Sequence, residues 1–211
     1  MRLLTTLFLI FALSGCQSAY YATMEKVGVH KRDIMADRVE AASEAQQEAS
    51  EQFTSALEAL TALTNFDGGE LEAMYNTIND QYEESEATVE NVKERIEAVE
   101  DVSDALFDEW QEELSLYSSA KLRRESERKL KNTERSYTQM LAAMRKAESK
   151  MEPVLDTLRD NSLYLKHNLN AAAIGALKGE FAGLEDDINL AIKDMQAAIN
   201  ESERFLATLK N

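Results

Sequence analysis

The sequence predicts an all-α protein, folded as an elongated antiparallel coiled-coil bundle of three to four long helices. Two observations predict this fold class. The 211 residues include one proline and seven glycines, which is too small a supply for the many turns of a sheet-rich fold. Apolar residues also recur at alternating steps of three and four over long stretches, the period of helices that pack in a left-handed supercoil. No sustained strand-type alternation follows residue 15.

The first predicted helix, about residues 22–64, is rich in alanine, whose small side chain would let a neighbouring helix approach closely. Larger apolar side chains mark its later part: Phe53, Leu57, Leu60 and Leu63. A turn is predicted at residues 65–70, because Gly68 and Gly69 accept left-handed backbone angles. This segment lacks the twelve-residue pattern of a calcium loop.

The second predicted helix, about residues 70–116, has the most regular apolar seam in the chain. Its positions are Leu71, Tyr75, Ile78, Tyr82, Ser85, Val89, Val92, Ile96, Val99, Ser103, Leu106 and Trp110. The steps of four and three never slip, so we expect burial against partner helices along its whole length. At 1.5 Å per residue such a helix spans roughly 70 Å.

The third predicted helix, about residues 120–173, keeps this period past Pro153, which we interpret as a kink or as a restart with proline in the first turn. Its seam positions are Leu130, Thr133, Tyr137, Met140, Met144, Ala147, Met151, Val154 and Leu158. The methionines are typical of an adaptable core.

The fourth predicted helix covers about residues 180–209, with a seam at Leu184, Ile188, Ala191, Met195, Ala198, Ser202, Phe205 and Leu209. Three glycines stand four residues apart where it begins, at Gly175, Gly179 and Gly183. We interpret them as part of the last connection, because each would cost a helix about 1 kcal/mol relative to alanine. A thin helix face that allows close packing is the alternative.

Charge favours a hairpin near residue 118 over one continuous helix. Residues 40–113 hold 22 acids and two bases, whereas residues 121–150 hold ten bases and four acids. A hairpin lays the basic segment beside the acidic one. In a straight rod, the acidic side chains would repel one another without nearby bases to offset them. Pairing of the basic island at residues 121–131 with the acidic helix is the simpler expectation, and an anionic partner is the alternative. The seams could close within one chain or between chains.

The charge and the motifs exclude several classes of function. The formal net charge of −16 opposes nucleic-acid binding, which needs clustered Lys and Arg. Neither His30 nor His167 belongs to a two-histidine metal spacing, and each stands beside a lysine. Local signatures of a catalytic triad, a phosphate-binding loop or a nucleotide fold are missing from the sequence. We therefore expect no enzyme, cofactor or metal. A metal-binding or enzymatic domain would need His30 and His167 to converge.

The N-terminus predicts a lipoprotein signal. Arg2 precedes a short apolar run, which ends in Leu-Ser-Gly before Cys16, the only cysteine. This string resembles a bacterial lipobox, so we predict a signal peptide at residues 1–15, an acylated tether at 16–21 and one helical domain at 22–211. Ordinary secretion with an unused thiol is the alternative. Gln17, where aspartate would favour inner-membrane retention, indicates the periplasmic face of the outer membrane.

A basic cluster follows the predicted anchor and is a candidate contact with lipid headgroups or a partner, since each base near an anionic surface contributes about 1 kcal/mol. Its members are Lys26, His30, Lys31, Arg32 and Arg38. A plain helix start is the alternative.

Three stretches carry a family resemblance: residues 25–34 (EKVGVHKRDI), 106–110 (LFDEW) and 165–171 (LKHNLNA). They resemble a family of uncharacterised Gram-negative proteins, a domain of unknown function often preceded by a lipoprotein signal and containing predicted coiled coil. The resemblance covers the whole mature chain. It implies a helical envelope lipoprotein and carries no catalytic residues.

These observations predict a non-enzymatic envelope lipoprotein that acts as a structural spacer or adaptor through coiled-coil surfaces. Its expected partners are the membrane, through acyl chains (palmitate among them) on Cys16, and a protein or a second copy through the helical seams. A bundle that binds or shapes lipid is the alternative.

Overall fold

The computed structural model describes residues 20–21, 23–64, 71–168 and 171–210. Its four long helices are α1 (Lys31–Thr64), α2 (Leu71–Glu113), α3 (Ala120–His167) and α4 (Ala171–Lys210). The described residues contain no strand, so the predicted all-α class is confirmed. The predicted signal peptide, Cys16 and the turn at 65–70 lie outside the described residues.

The four helices form an antiparallel bundle that is square in cross-section. α1 packs on α2 and α4, and α3 packs on the same two helices from the opposite corner. One end of the bundle holds the start of α1, the α2–α3 connection and the end of α4, and we name it the hairpin end. The other end, where α1 and α3 finish, is the far end. At 1.5 Å per residue, the 48 residues of α3 span about 72 Å.

The predicted seams form the core of this bundle. All eight seam positions of α4 are buried, as are eight of the nine in α3, where Tyr137 is half-buried. In α1, buried alanines face them: Ala42, Ala45, Ala49 and Ala56. The seams therefore close within one chain. No helix of the described ranges has the combination of length and apolarity that crossing a membrane requires.

Two glutamine amides of α1, that of the half-buried Gln52 and that of the fully buried Gln46, have opposite environments. The Gln52 amide nitrogen donates to the Gln81 side-chain oxygen at 3.2 Å and to the Ser85 hydroxyl at 3.4 Å. Gln46 is fully buried, and neither its amide nitrogen nor its oxygen has a hydrogen-bond partner among the residues that the structure describes. Gln46 thus interrupts the apolar face of α1, and no hydrogen bond within the described structure offsets the cost of burying its amide.

The hairpin between α2 and α3 is confirmed, and a continuous helix is wrong. A single 3-10 turn, Leu114–Leu116, closes α2. Ser119 caps α3, because its hydroxyl accepts from the backbone N–H of Leu122 at 3.4 Å. Pro153 lies inside α3, which continues across it as the unbroken seam predicts.

The first predicted helix is interrupted, contrary to expectation. Residues 23–26 are helical, but the chain reverses at Gly28, whose φ of 86° is left-handed. The Val29 N–H bonds to the Met24 carbonyl at 3.0 Å and the Gly28 N–H to the Glu25 carbonyl at 3.0 Å, a Schellman ending. α1 then begins at Lys31. The preceding leg folds back along the bundle, where Tyr21 is buried.

The prediction for the last connection is also wrong. α3 ends at His167 instead of 173, α4 begins at Ala171 instead of 180, and the glycine segment is helical. Burial of Leu177 and Leu184 stabilises this helix against the cost of its glycines. A methyl group at Gly175 or Gly183 would meet no atom within 4 Å, so these two positions do not permit a close helix approach either.

Alanine substitution at two glycines should have opposite effects on stability. Gly183→Ala should raise the free energy of unfolding by about 0.5–1 kcal/mol, because the position is helical and open. Gly28→Ala should lower it by roughly 1–2 kcal/mol, because an L-residue resists the left-handed angle. Urea unfolding followed by far-UV circular dichroism measures both. A loss of stability in Gly183→Ala would contradict a continuous α4.

Candidate functional site

The hairpin end holds most of the functional candidates, and Lys31 ties its two chain reversals together. The Lys31 ammonium bonds to the Glu25 carboxylate and lies 3.1 Å from the Glu109 carboxylate of α2. Burial lowers the pKa of Lys31, but hydrogen bonds to both carboxylates outweigh it, so this pKa is raised. The hydrogen bond from Lys31 lowers the pKa of Glu25. The side chain of Lys31 is only 13% exposed, so its charge pairs with these two carboxylates instead of facing solvent.

The other members of the predicted basic cluster differ in their exposure. Lys26, His30 and Arg32 are exposed, whereas Arg38 is half-buried. The pKa of Tyr21 is raised, chiefly by burial and then by the charge of Asp101. The charge of Arg38 acts on the same hydroxyl in the opposite direction and lowers this pKa. Within this cluster, the exposed side chains of Lys26, His30 and Arg32 are therefore the ones that could contact lipid headgroups.

A cavity of about 310 Å³ opens at the hairpin end, where all four helices contribute to its wall. The lining residues are Arg32, Trp110, Lys129, Asn132, Thr133, Thr208 and Leu209. The Trp110 indole N–H donates to the Ser126 hydroxyl at 2.8 Å, which fixes α2 to α3 beside the cavity. The cavity joins cationic groups with an apolar floor, an arrangement suited to an anionic amphiphile.

A second cavity, a groove of about 730 Å³, runs between α3 and α4. Small side chains form much of its wall: Ala142, Ala143 and Ala197. Phe205 lies at its base and belongs to a chain of three rings, in which Tyr137 is 6.2 Å from Phe205 and 5.4 Å from Phe107. Burial is the main cause that raises the pKa of Tyr137.

The turns at the hairpin end expose apolar side chains that sequence reasoning missed. Leu116 is 80% exposed, Val27 71%, Leu122 53% and Tyr117 41%. A usable signal was present, because Leu116 and Leu122 lie outside every seam and residues 114–124 contain no acid. A single exposed leucine is ordinary, but four exposed apolar side chains gathered at one end of the bundle are the kind of grouping that marks an interaction surface.

The predicted pairing of the basic island with the acidic helix is wrong for the first three bases of the island, and Lys131 pairs instead with Glu127 of its own helix. Across the described ranges, Lys121, Arg123 and Arg124 have no carboxylate within 4.0 Å. Further along α3, Arg145 does pair with Glu100 of α2, and the pKa of Arg145 is raised, chiefly by that hydrogen bond. The first turn of α3 thus presents its bases to solvent.

The two histidines do not share a site. His30 precedes α1 at the hairpin end, whereas His167 ends α3 at the far end. Arg32 and Lys129 line the same cavity, and the 38 residues from Lys129 to His167 span about 57 Å. In the described part of the chain, no group of three His, Cys, Asp or Glu side chains could hold a metal ion.

Comparison with known proteins identifies a family without identifying an activity. A family model described as "Protein of unknown function (DUF2959)" matches residues 20–209, which include all four helices. A search of curated proteins finds no match. Because the family model covers nearly the whole helical domain, the chain belongs to the DUF2959 family.

Proposed function

We propose that the protein is a non-enzymatic, lipid-anchored spacer or adaptor of the Gram-negative cell envelope. Acyl chains on Cys16 hold it to the membrane, at the periplasmic face of the outer membrane. The observation that carries this proposal is the placement of the two ends. The chain enters at the hairpin end, and α3 reaches the far end about 72 Å away.

The surface charge supports an upright spacer. The sequence has a net charge of −16, and α2 alone exposes a row of acids along its side: Glu83, Glu84, Glu90, Glu94 and Glu97. Such a face repels an anionic bilayer, so the sides of the bundle stay away from the surface. Because the seams close within one chain, a partner would use the outer faces or the far end.

The anchor is tested by Cys16→Ser. Acylated wild-type protein should be recovered with the membrane fraction, because two or more buried acyl chains anchor stably. The variant should be released into the soluble periplasmic fraction while keeping its helical circular dichroism. Recovery of Cys16→Ser with the membranes in the same proportion as wild-type protein, after a high-salt wash that removes protein held by charge, would contradict the lipid anchor.

The adaptor role is tested by site-specific photocrosslinking in intact envelopes. A crosslinking residue at Tyr164, exposed near the far end, should capture one defined protein or the cell wall. The same residue at Leu190, which is 50% exposed against 40% for Tyr164 but lies midway along α4, is the matched control. Equal products from both positions, or none from Tyr164 across several crosslinkers, would contradict a far-end contact.

A second candidate function is a bundle that binds or shapes lipid without its anchor. The exposed Leu116 and Leu122 favour it. In that case unacylated Cys16→Ser protein should sediment with anionic vesicles at low salt, whereas a pure spacer should stay in the supernatant.

A further inference from the structure

We propose that the hairpin end is itself a membrane-contacting surface. Its tip, defined as Val27 together with residues 114–124, inserts apolar side chains into the phospholipid surface and places basic side chains among the headgroups. This inference rests on the proposed anchor at Cys16, and it adds a second attachment that fixes the bundle upright.

The first argument is the position of the exposed apolar side chains. Two chain reversals, one at Gly28 and one at residues 114–119, lie at the same end, as the Lys31–Glu109 ion pair shows. Each reversal exposes an aliphatic side chain, Val27 in the first and Leu116 in the second. Side chains at the outermost point of a bundle enter a bilayer without any helix leaving the core.

The second argument is local charge. Residues 114–124 contain three bases and no acid, although the whole chain carries −16. Lys121, Arg123 and Arg124 are exposed, and none of them has a carboxylate within 4.0 Å in the described ranges, although the charge of Arg123 helps to lower the pKa of Glu127. Each base near an anionic surface strengthens binding roughly fivefold. Tyr117 adds a ring of the kind that favours the interface.

The third argument is the length of the tether. Three residues lie between Cys16 and Tyr20, so the link of four Cα–Cα steps can span at most about 14 Å. The neighbouring Tyr21 lies close enough to Asp101 for its charge to act on the ring hydroxyl. Asp101 stands twelve residues before the end of α2, or about 18 Å above the tip. An upright bundle therefore cannot hold its tip clear of the membrane.

The test places a single tryptophan at the tip of the acylated protein in phosphatidylethanolamine–phosphatidylglycerol vesicles. Trp110, the only tryptophan, is first replaced by phenylalanine. Leu116→Trp then reports on the tip, and Leu163→Trp, which is 51% exposed near the far end, is the matched control. Brominated acyl chains should quench Leu116→Trp at least about twofold, as for an interfacial aromatic residue, and leave Leu163→Trp unquenched.

Charge reversal supplies the second arm. The triple change Lys121→Glu, Arg123→Glu and Arg124→Glu should cut the quenched fraction of Leu116→Trp at least about tenfold, because three favourable charges become repulsive. Its circular dichroism should be unchanged, since these exposed side chains make no ion pair in the described structure. Unaltered quenching would overturn the electrostatic part of the proposal.

The outcomes separate this inference from the anchor. Protein that fails to float with the vesicles would contradict acylation at Cys16 and the proposed function. Protein that floats with both tryptophans unquenched would overturn the tip contact and leave the anchor standing. Quenching at both positions would overturn the upright orientation, because the bundle would then lie along the surface.

Discussion

Phe205→Ala should lower the free energy of unfolding by about 3–5 kcal/mol, the usual cost of removing a fully buried ring. Phe205 is 1% exposed and packs its ring 6.2 Å from that of Tyr137 on the neighbouring helix. Truncation would leave a cavity where α3 meets α4 and would remove the aromatic contact. Urea unfolding followed at 222 nm measures the change.

The control for this prediction is Leu190→Ala, in the same helix. Leu190 is half exposed, so its truncation should change stability by less than about 0.5 kcal/mol. Equal losses in the two variants would show that helix propensity, not core packing, sets the stability of α4. A small loss in Phe205→Ala alone would contradict the position of its ring in the core.

Gln46→Met should raise the free energy of unfolding by about 1–3 kcal/mol. Burying an amide without a hydrogen bond costs about that much, and methionine has nearly the same length and shape. Gln46 is fully buried between the buried Ala42 and Ala49, and both of its polar side-chain atoms lack a partner among the described residues. Thermal and urea unfolding of the purified domain measure the gain.

Gln52→Met is the matched control, six residues along the same helix. The Gln52 amide bonds to Gln81 and Ser85, and Ser85 is fully buried. Its removal should therefore lower stability by about 1 kcal/mol, the ordinary net value of such bonds. Stabilisation by both changes would show that added apolar surface, not relief of an unpaired amide, explains Gln46→Met.

The regular seams made most of the fold predictable. In α4 every expected position from Leu184 to Leu209 is buried, because a sustained 3.5-residue period leaves one apolar face for a partner. The hairpin followed from charge as well as from the serines near 118. Helix ends were harder to predict, because tertiary burial of Leu177 outweighed the intrinsic cost of the nearby glycines.

The candidate site was less predictable than the fold. The sequence predicts one basic cluster around Lys31 as a contact surface, yet the reversal at Gly28 turns Lys31 inward toward Glu109. That reversal depends on the left-handed φ of Gly28, whereas the spacing of apolar residues predicts a continuous helix there. A seam predicts which apolar residues are buried, so it does not predict that Leu116 and Leu122 remain exposed.

The square arrangement of neighbouring helices has a consequence for how the chain folds. The pairs α1 with α2, α2 with α3, and α3 with α4 are hairpins of adjacent segments, whereas α1 and α4 join residues from opposite ends of the sequence. Local contacts form before distant ones, because closing a long loop costs more entropy. The three hairpins should therefore assemble early, and the meeting of α1 with α4 should be the late step that commits the chain to its native state.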